Sequence, residues 1–141
     1  MENVALNNNY SKLGKIPIFG MIHLTGSNPV PNTLRELEIY ESCGVDGAII
    51  ENYFGSVEDV IKTLEEKDKV VSNLSMGVNI LPNEFKKSFQ LADRYSADFI
   101  QVDHVAGMYH EGRINPKLYK SVKDQYPGIV VLGGVWPKYY H

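Results

Sequence analysis

Asp98-Phe99-Ile100-Gln101-Val102-Asp103-His104 is the stretch on which the fold turns. It reads as a buried strand, because successive side chains of a strand point to opposite faces. Ile100 and Val102 share one face; Phe99, Gln101 and Asp103 share the other. A buried strand with Gln101 in its middle and Asp103 at its end must give those groups partners or water. Three earlier segments repeat the pattern. Met21 and His23 alternate with Gly20, Ile22 and Leu24; Ile49 and Glu51 with Ala48 and Ile50; Gly77 and Asn79 with Val78 and Ile80. Four strands thus carry a polar residue near their C-terminal ends, always on the parity opposite the aliphatic one. The aliphatic parity is expected to face helices, and the polar parity the interior of a sheet or barrel.

Outward from these strands, the chain follows a regular alternation. Residues 1–15 are polar and Asn-rich, a flexible lead-in without the apolar core of a signal peptide. Ile16 to His23 is the first strand. Thr25 to Pro31 holds Gly26, Pro29 and Pro31 and is expected to be a loop. Thr33 and Glu36 have capping-box spacing, so a helix is expected from Thr33, with Leu34, Leu37 and Tyr40 as its stripe and Gly44 as its stop. Val45 to Glu51 follows as a strand. Ser56 caps a helix whose face carries Val57, Val60, Ile61 and Leu64, and the charged run from Lys62 to Lys69 is a solvated helix surface. Met76 to Leu81 is the third strand, and Asn83 is expected to cap a helix with Phe85, Phe89 and Ala92 inward. After the fourth strand comes a loop from His104 to Arg113. Asn115 caps and Pro116 opens a helix burying Leu118, Tyr119 and Val122, and Ile129 to Val135 is the fifth strand.

Strand centres recur at intervals of roughly 22 to 32 residues, each interval holding one helix, as serial βα units require. The class is α/β with a parallel sheet, built on residues 16–141. Two architectures compete. A doubly wound domain fits this length but normally shows a Gly-rich loop after its first strand, and neither GxGxxG nor GxxxxGK[ST] occurs. Polar residues on one parity of strand after strand suit the mouth of a (β/α)8 TIM-type barrel better, with this chain supplying about five strands and four helices, a half-barrel.

Bulk properties exclude several functions. Net charge is −3 with no basic run, which disfavours nucleic-acid binding. No apolar run approaches the ~18 residues of a membrane span, so a cytoplasmic location is expected. The single cysteine, Cys43, rules out an internal disulfide and is expected as a small buried side chain rather than a nucleophile.

Four stretches, Gly20 to Leu24, Gly44 to Asn52, Gly77 to Asn83 and Ala97 to Asp103, come in an order and spacing that together resemble the BtpA/SgcQ family. The resemblance covers about Ile16 to His141. It implies the N-terminal half of a (β/α)8 barrel of a type compared with phosphoribosylanthranilate isomerase; one member is associated with photosystem I biogenesis. The family usually has Arg-Val-Asn where this chain has Gln101-Val102-Asp103, and a Lys-His pair where this chain runs Gly134-Val135-Trp136-Pro137-Lys138. The family's second half, where many barrels bind phosphate, lies beyond these residues.

The C-terminal ends of barrel strands carry the chemistry. His23, Glu51 and Asp103 are therefore the candidate catalytic residues: the two carboxyls as acid and base if burial separates their pKa values, the imidazole as proton shuttle. Asn52, Asn79, Gln101, His104 and Lys138 are candidate substrate contacts, Lys138 as a phosphate or Schiff-base lysine. His110 and Glu111 fit a lid or, more simply, a solvated loop; Tyr139 and Tyr140 fit an interface. Two carboxylates and an imidazole also suit a divalent ion, but ligands on separate strands leave no spacing to read, and no metal or cofactor is assigned. The expected function is an isomerase- or lyase-like enzyme on a small polar, perhaps phosphorylated, sugar or nucleoside. A non-catalytic assembly factor and a degenerate half-barrel that only self-associates are the alternatives. The bland reading of the four polar strand ends is a plug that satisfies its own hydrogen bonds. Two unprotected edge strands predict a homo-oligomer, or a second half that covers the open face.

Overall fold

Alternating burial builds a parallel sheet with two unlike faces. The computed structural model describes residues 16–105 and 114–134. In chain order the elements are β1 (Phe19–Ile22), α1 (Pro29–Ser42), β2 (Gly47–Glu51), α2 (Val57–Glu66) with a tight turn at Lys67–Lys69, β3 (Ser75–Asn79), α3 (Phe85–Arg94), β4 (Phe99–Val102), α4 (Pro116–Lys123) and β5 (Val130–Gly133). The five strands lie side by side in chain order, β1-β2-β3-β4-β5, every pair parallel. This is an α/β fold in which each strand returns by a helix to its immediate neighbour.

One face carries the main core. Ile22, Leu24, Ala48, Ile50, Val78, Ile80, Ile100 and Val102 are buried in a single cluster with Leu37 of α1, Val60 and Leu64 of α2, and Phe85, Phe89 and Ala92 of α3. These helices therefore cover the same face, the aliphatic one. Each fully buried aliphatic side chain contributes about 1.5–3 kcal/mol, so this face holds the fold together. Gly20 belongs to it as well: any side chain there would run into the ring of Tyr40, which donates its hydroxyl to the Met21 carbonyl.

The other face is lined by Phe19, Met21, Ile49, Gly77 and Phe99. Phe19 and Phe99 meet edge to face with centroids 5.0 Å apart. Their rings lie over Gly47 and Gly77, where a Cβ would collide with them. Small residues on the two middle strands thus make room for aromatic residues on their neighbours.

Helix starts follow the sequence in two places and depart from it in two. Ser56 forms a full capping box with Asp59, its hydroxyl accepting from Asp59 N at 3.1 Å while Asp59 Oδ2 accepts from Ser56 N at 2.9 Å. Asn115 Oδ1 accepts from Lys117 N and Leu118 N at 3.0 and 3.2 Å. But α1 begins at Pro29, a turn before the expected Thr33. Pro29 and Pro31 both sit in the first turn, where the missing N–H has no intrahelical acceptor and the fixed φ is already helical. Thr33 is buried inside the helix. Asn83 does not cap α3; its φ is +57°, Glu84 takes the cap position, and the Asn83 side chain serves another strand.

Other expectations also give way. Cys43, the C-terminal cap of α1, is exposed. Lys67 is buried within the charged run, its stem packed inward and its ammonium paired to exposed Asp68. Leu118 is 40% exposed, so of the three expected residues only Tyr119, whose ring meets Phe85 at 5.5 Å, and Val122 pack against the core. No helix among the described residues is long and apolar enough to cross a membrane. The lead-in over 1–15, the His110–Glu111 loop and Lys138 with Tyr139 and Tyr140 lie outside the described residues.

Candidate functional site

Strand register brings the polar ends together. Ile22 pairs with Ile50 and Glu51 with Asn79, so His23, one residue past β1, stands beside Glu51. Gln101 follows the Val78–Ile100 pair by one step, which puts it on the parity of Asn79. His23 Nε2 lies 3.3 Å from Glu51 Oε2. Asn79 Nδ2 donates to Glu51 Oε1 at 3.0 Å and to Asp103 Oδ1 at 3.3 Å. His23, Glu51, Asn79 and Asp103 therefore form one contiguous hydrogen-bonded group from four adjacent strands, as the sequence parity predicts.

The electrostatics follow from burial. Glu51 is only 6% exposed. Burial first, and then the nearby Asp103 carboxylate, push its carboxyl up to about 7. Desolvation disfavours the charged form of an acid, and a like charge disfavours it again. Near neutrality Glu51 is thus available both as proton donor and as proton acceptor. His23 touches it while its side chain remains 43% exposed, so a proton has a route between the buried carboxyl and the open face.

Asn79 is held in one amide orientation. The Asp103 carboxylate and the Glu51 oxygen it meets both act as acceptors, so its NH2 faces them. Its Oδ1 then points away, buried and without a hydrogen-bond partner. Gln101 Oε1 is in the same condition. Of the two partners expected for Gln101, a neighbouring strand's side chain or a buried water, the first is not found at that oxygen.

A second set of polar residues frames the site. Asn52 Oδ1 accepts from Leu81 N at 2.8 Å, tying the end of β2 to the end of β3. Asn83 Oδ1 accepts from Asp103 N at 2.9 Å, and its amide donates to the His104 carbonyl at 3.1 Å. An Asn tolerates the left-handed conformation this requires. His104 is buried, its Nε2 3.3 Å from Asn83 Nδ2. Asn52 and His104, expected as substrate contacts, thus stand in bonds that fix the loops around the mouth, and Asn83 sets the backbone from which Asp103 projects.

Tyr53 and Phe54 were not expected here. They follow Asn52 directly, and their rings cluster with His23: His23–Tyr53 centroids are 5.2 Å apart, Tyr53–Phe54 4.7 Å, His23–Phe54 6.3 Å. Phe54 N donates to the His23 carbonyl at 3.1 Å, which holds this loop against the end of β1. Both rings are exposed, Tyr53 by 59% and Phe54 by 67%. Two consecutive aromatic residues in a loop that follows a polar strand end were the signal available in the sequence.

The opposite end of the sheet has a groove of about 510 Å³ whose lining includes Glu41, Asp46, Ser72, Asn73 and Asp98. Its carboxylates are structural. Glu41 accepts from Ser72 N and Asn73 N, which hold it below the usual carboxylate range. Asp46 accepts from Ile18 N, and Asp98 from Met76 N, each fastening the start of one strand to its neighbour. Among the described residues no three His, Cys, Asp or Glu side chains are grouped to hold a metal ion.

Two curated proteins show similarity to this chain. The uncharacterized protein MJ1115 of Methanocaldococcus jannaschii is 26% identical, with 77% of this chain and 50% of that protein covered. The uncharacterized protein PF0860 of Pyrococcus furiosus is also 26% identical, over 67% of this chain and 44% of its own length. No family model and no solved structure matches. The chain spans about half the length of the curated relatives it matches.

Proposed function

We propose that the chain carries a general acid–base site of the kind found at the mouth of (β/α)8 barrels, and that it acts as an isomerase or lyase on a small polar sugar or nucleoside. The observation that carries this reading is Glu51, a buried carboxyl poised near 7 between Asp103 and His23. A group whose pKa sits at the working pH both removes and returns a proton efficiently. Asp103 and Asn79 position it, and Asp103 is the second carboxyl of an acid–base pair. Strands in chain order with helices on one face, polar ends at the C-terminal side and relatives about twice as long support the barrel scaffold. The resemblance to the BtpA/SgcQ family points the same way and is the source of the phosphorylated substrate as an option. Ile16 and Ile18, 86% and 62% exposed beside the open edge of β1, favour a second copy or further strands packed there.

Isomerases and lyases of this kind begin by removing a proton from carbon next to a carbonyl. The test is solvent exchange: incubate the protein in D2O with a panel of aldoses, ketoses and their phosphates, and follow loss of the C–H signal by NMR. Protein-dependent deuterium incorporation, abolished in Glu51→Gln and rising through pH 7, is the expected result. Exchange that persists in Glu51→Gln removes Glu51 from the mechanism, and exchange no faster than without protein removes the acid–base reading.

A further inference from the structure

Strand β5 ends in the pair Gly133-Gly134. In a regular parallel pair, a residue that donates to one carbonyl of its neighbour accepts from the N–H two residues further on. Gly134 N donates to the Val102 carbonyl at 3.2 Å, but the Gly134 carbonyl accepts from Val105 N at 3.1 Å. Asp103 and His104 together therefore occupy the place of one residue opposite Gly134, a β-bulge just past the end of β4. Both glycines make room for it. A Cβ on Gly134 would overlap the Asp103 carbonyl oxygen, a backbone atom that cannot turn aside. One on Gly133 would meet the Val105 side chain.

Asn83 pins the bulge from the β3 side. Its Oδ1 accepts from Asp103 N at 2.9 Å, and its amide donates to the His104 carbonyl at 3.1 Å. One side chain thus fixes the backbone of both bulge residues, and it is itself only 5% exposed. A bulge re-aims the side chains it carries. Here Asp103 meets Asn79 Nδ2 at 3.3 Å, the same nitrogen that Glu51 meets at 3.0 Å, while His104 is buried against Asn83. Two oxygens bonded to one nitrogen lie at most about 6 Å apart, so each carboxyl feels the charge of the other. His23, which also touches Glu51, comes from β1, on the far side of β2 from the bulge.

We infer that Asn83 and Gly134 are positioning residues: they hold the Asp103–His104 bulge, and the bulge holds the Asp103 carboxylate beside Asn79 and Glu51. The inference rests on the acid–base reading for its functional meaning and on the hydrogen bonds alone for its geometry. Neither residue touches Glu51, so each acts on it only through Asp103. A purely structural role for Asn83 would cost stability and leave the Asp103–Asn79–Glu51 arrangement of the folded chain unchanged.

NMR on the labelled 141-residue protein tests this without a ligand, through two signals. The Asn79 side-chain amide reports its contact with Asp103, and the Glu51 carboxyl carbon reports the charge beside it. Asp103→Ala gives the reference for a lost carboxylate. It should move the Asn79 amide signals and lower the Glu51 titration midpoint by about half a pH unit or more, since even the dielectric of water leaves that much repulsion at about 6 Å. Asn83→Gly, which suits the +57° backbone and removes only the side chain, should move both signals in the same direction as Asp103→Ala. Gly134→Ala, which displaces the bulge from the other side, should do likewise, and either variant suffices if the other does not fold. Adding Asn83→Gly to Asp103→Ala should move the Glu51 midpoint no further. Parent-like Asn79 and Glu51 signals in a folded Asn83→Gly or Gly134→Ala chain overturn the inference. So does an Asn83→Gly effect on Glu51 that is as large without Asp103 as with it. The two readings fail separately. A parent Glu51 that titrates near 4.5 removes the acid–base role while the Asn79 amide still decides the positioning. An Asn79 amide and a raised Glu51 both indifferent to Asn83→Gly remove only the positioning.

Discussion

Replacing Glu51 by glutamine should make the protein more stable above neutrality while leaving its fold intact. Burial and Asp103 raise the Glu51 carboxyl from 4.5 to about 7 in the folded chain. Between those two values the folded state binds a proton that the unfolded chain has released. Stability therefore falls as pH rises through this window, the reverse of an ordinary salt-bridged carboxylate. At about 1.4 kcal/mol for each pKa unit, the full effect is at most about 3–4 kcal/mol. The carboxyl is in contact with the 43% exposed His23 side chain, and screening from that side reduces it to about 2 kcal/mol. Glutamine keeps the shape, still accepts from Asn79, and cannot ionise.

The assay is urea unfolding at pH 5 and pH 8, followed by circular dichroism. The parent chain should be less stable at pH 8 than at pH 5 by about 2 kcal/mol more than Glu51→Gln is. Glu41 and Asp59 do not confuse the comparison. Their carboxyls are held below the ordinary value by backbone and side-chain hydrogen bonds, so their contribution is present above that value and lost only as pH falls further. An identical pH dependence in parent and variant, or a Glu51 carboxyl that titrates near 4.5 by carbon NMR, refutes the reasoning and with it the acid–base site.

Three further substitutions test the framework. Asn83→Ala removes the acceptor for Asp103 N and the donor to the His104 carbonyl, and should cost about 2–3 kcal/mol; Asn83→Gly, which relieves the +57° backbone, should recover only a minor part in the same denaturation assay. Gly77→Ala drives a Cβ into the Phe99 ring and should cost about 1–3 kcal/mol, much of it restored by adding Phe99→Leu; a Gly77→Ala chain as stable as the parent would show that the Phe19–Phe99 face is loosely packed. Gln101→Leu removes an unmatched buried carbonyl and should raise stability by about 1 kcal/mol, whereas a self-satisfied plug requires it to fall.

Much of this was legible because period-2 alternation is a strong and local signal. Ile100 and Val102 against Gln101 and Asp103 determine which face the helices cover, and the register then carries Glu51 to Asn79 without further information. Ser56 and Asn115 were legible for the same reason: a cap is satisfied within three residues. Where partners come from afar, the local reading fails. Asn83 looks like a cap until a backbone N–H twenty residues later claims its side chain. Pro29 and Pro31 look like loop residues because a proline's effect depends on where the helix begins, which the prolines themselves do not state. The lip of the site was missed at Tyr53 and Phe54, because an exposed aromatic pair acquires meaning only from the imidazole at the end of β1, thirty residues earlier in the chain.

The choice between a site and a plug can be argued from what lies one layer deeper. On the same face, one step toward the N-terminal ends, Ile49 and Phe99 are buried and Gly77 makes room for the Phe99 ring. That layer demonstrates that this side of the sheet accepts apolar residues and packs them. A leucine or methionine row at 51, 79 and 101 would extend it at a gain of about 1.5–3 kcal/mol for each side chain buried. The chain instead places there a carboxyl whose ionisation is penalised, an amide with its carbonyl unmatched and a second amide in the same state. A plug exists to satisfy its own groups, and this row leaves two acceptors open while crowding two carboxyls together. Such a departure from the packing below it favours the proposed acid–base site over the plug.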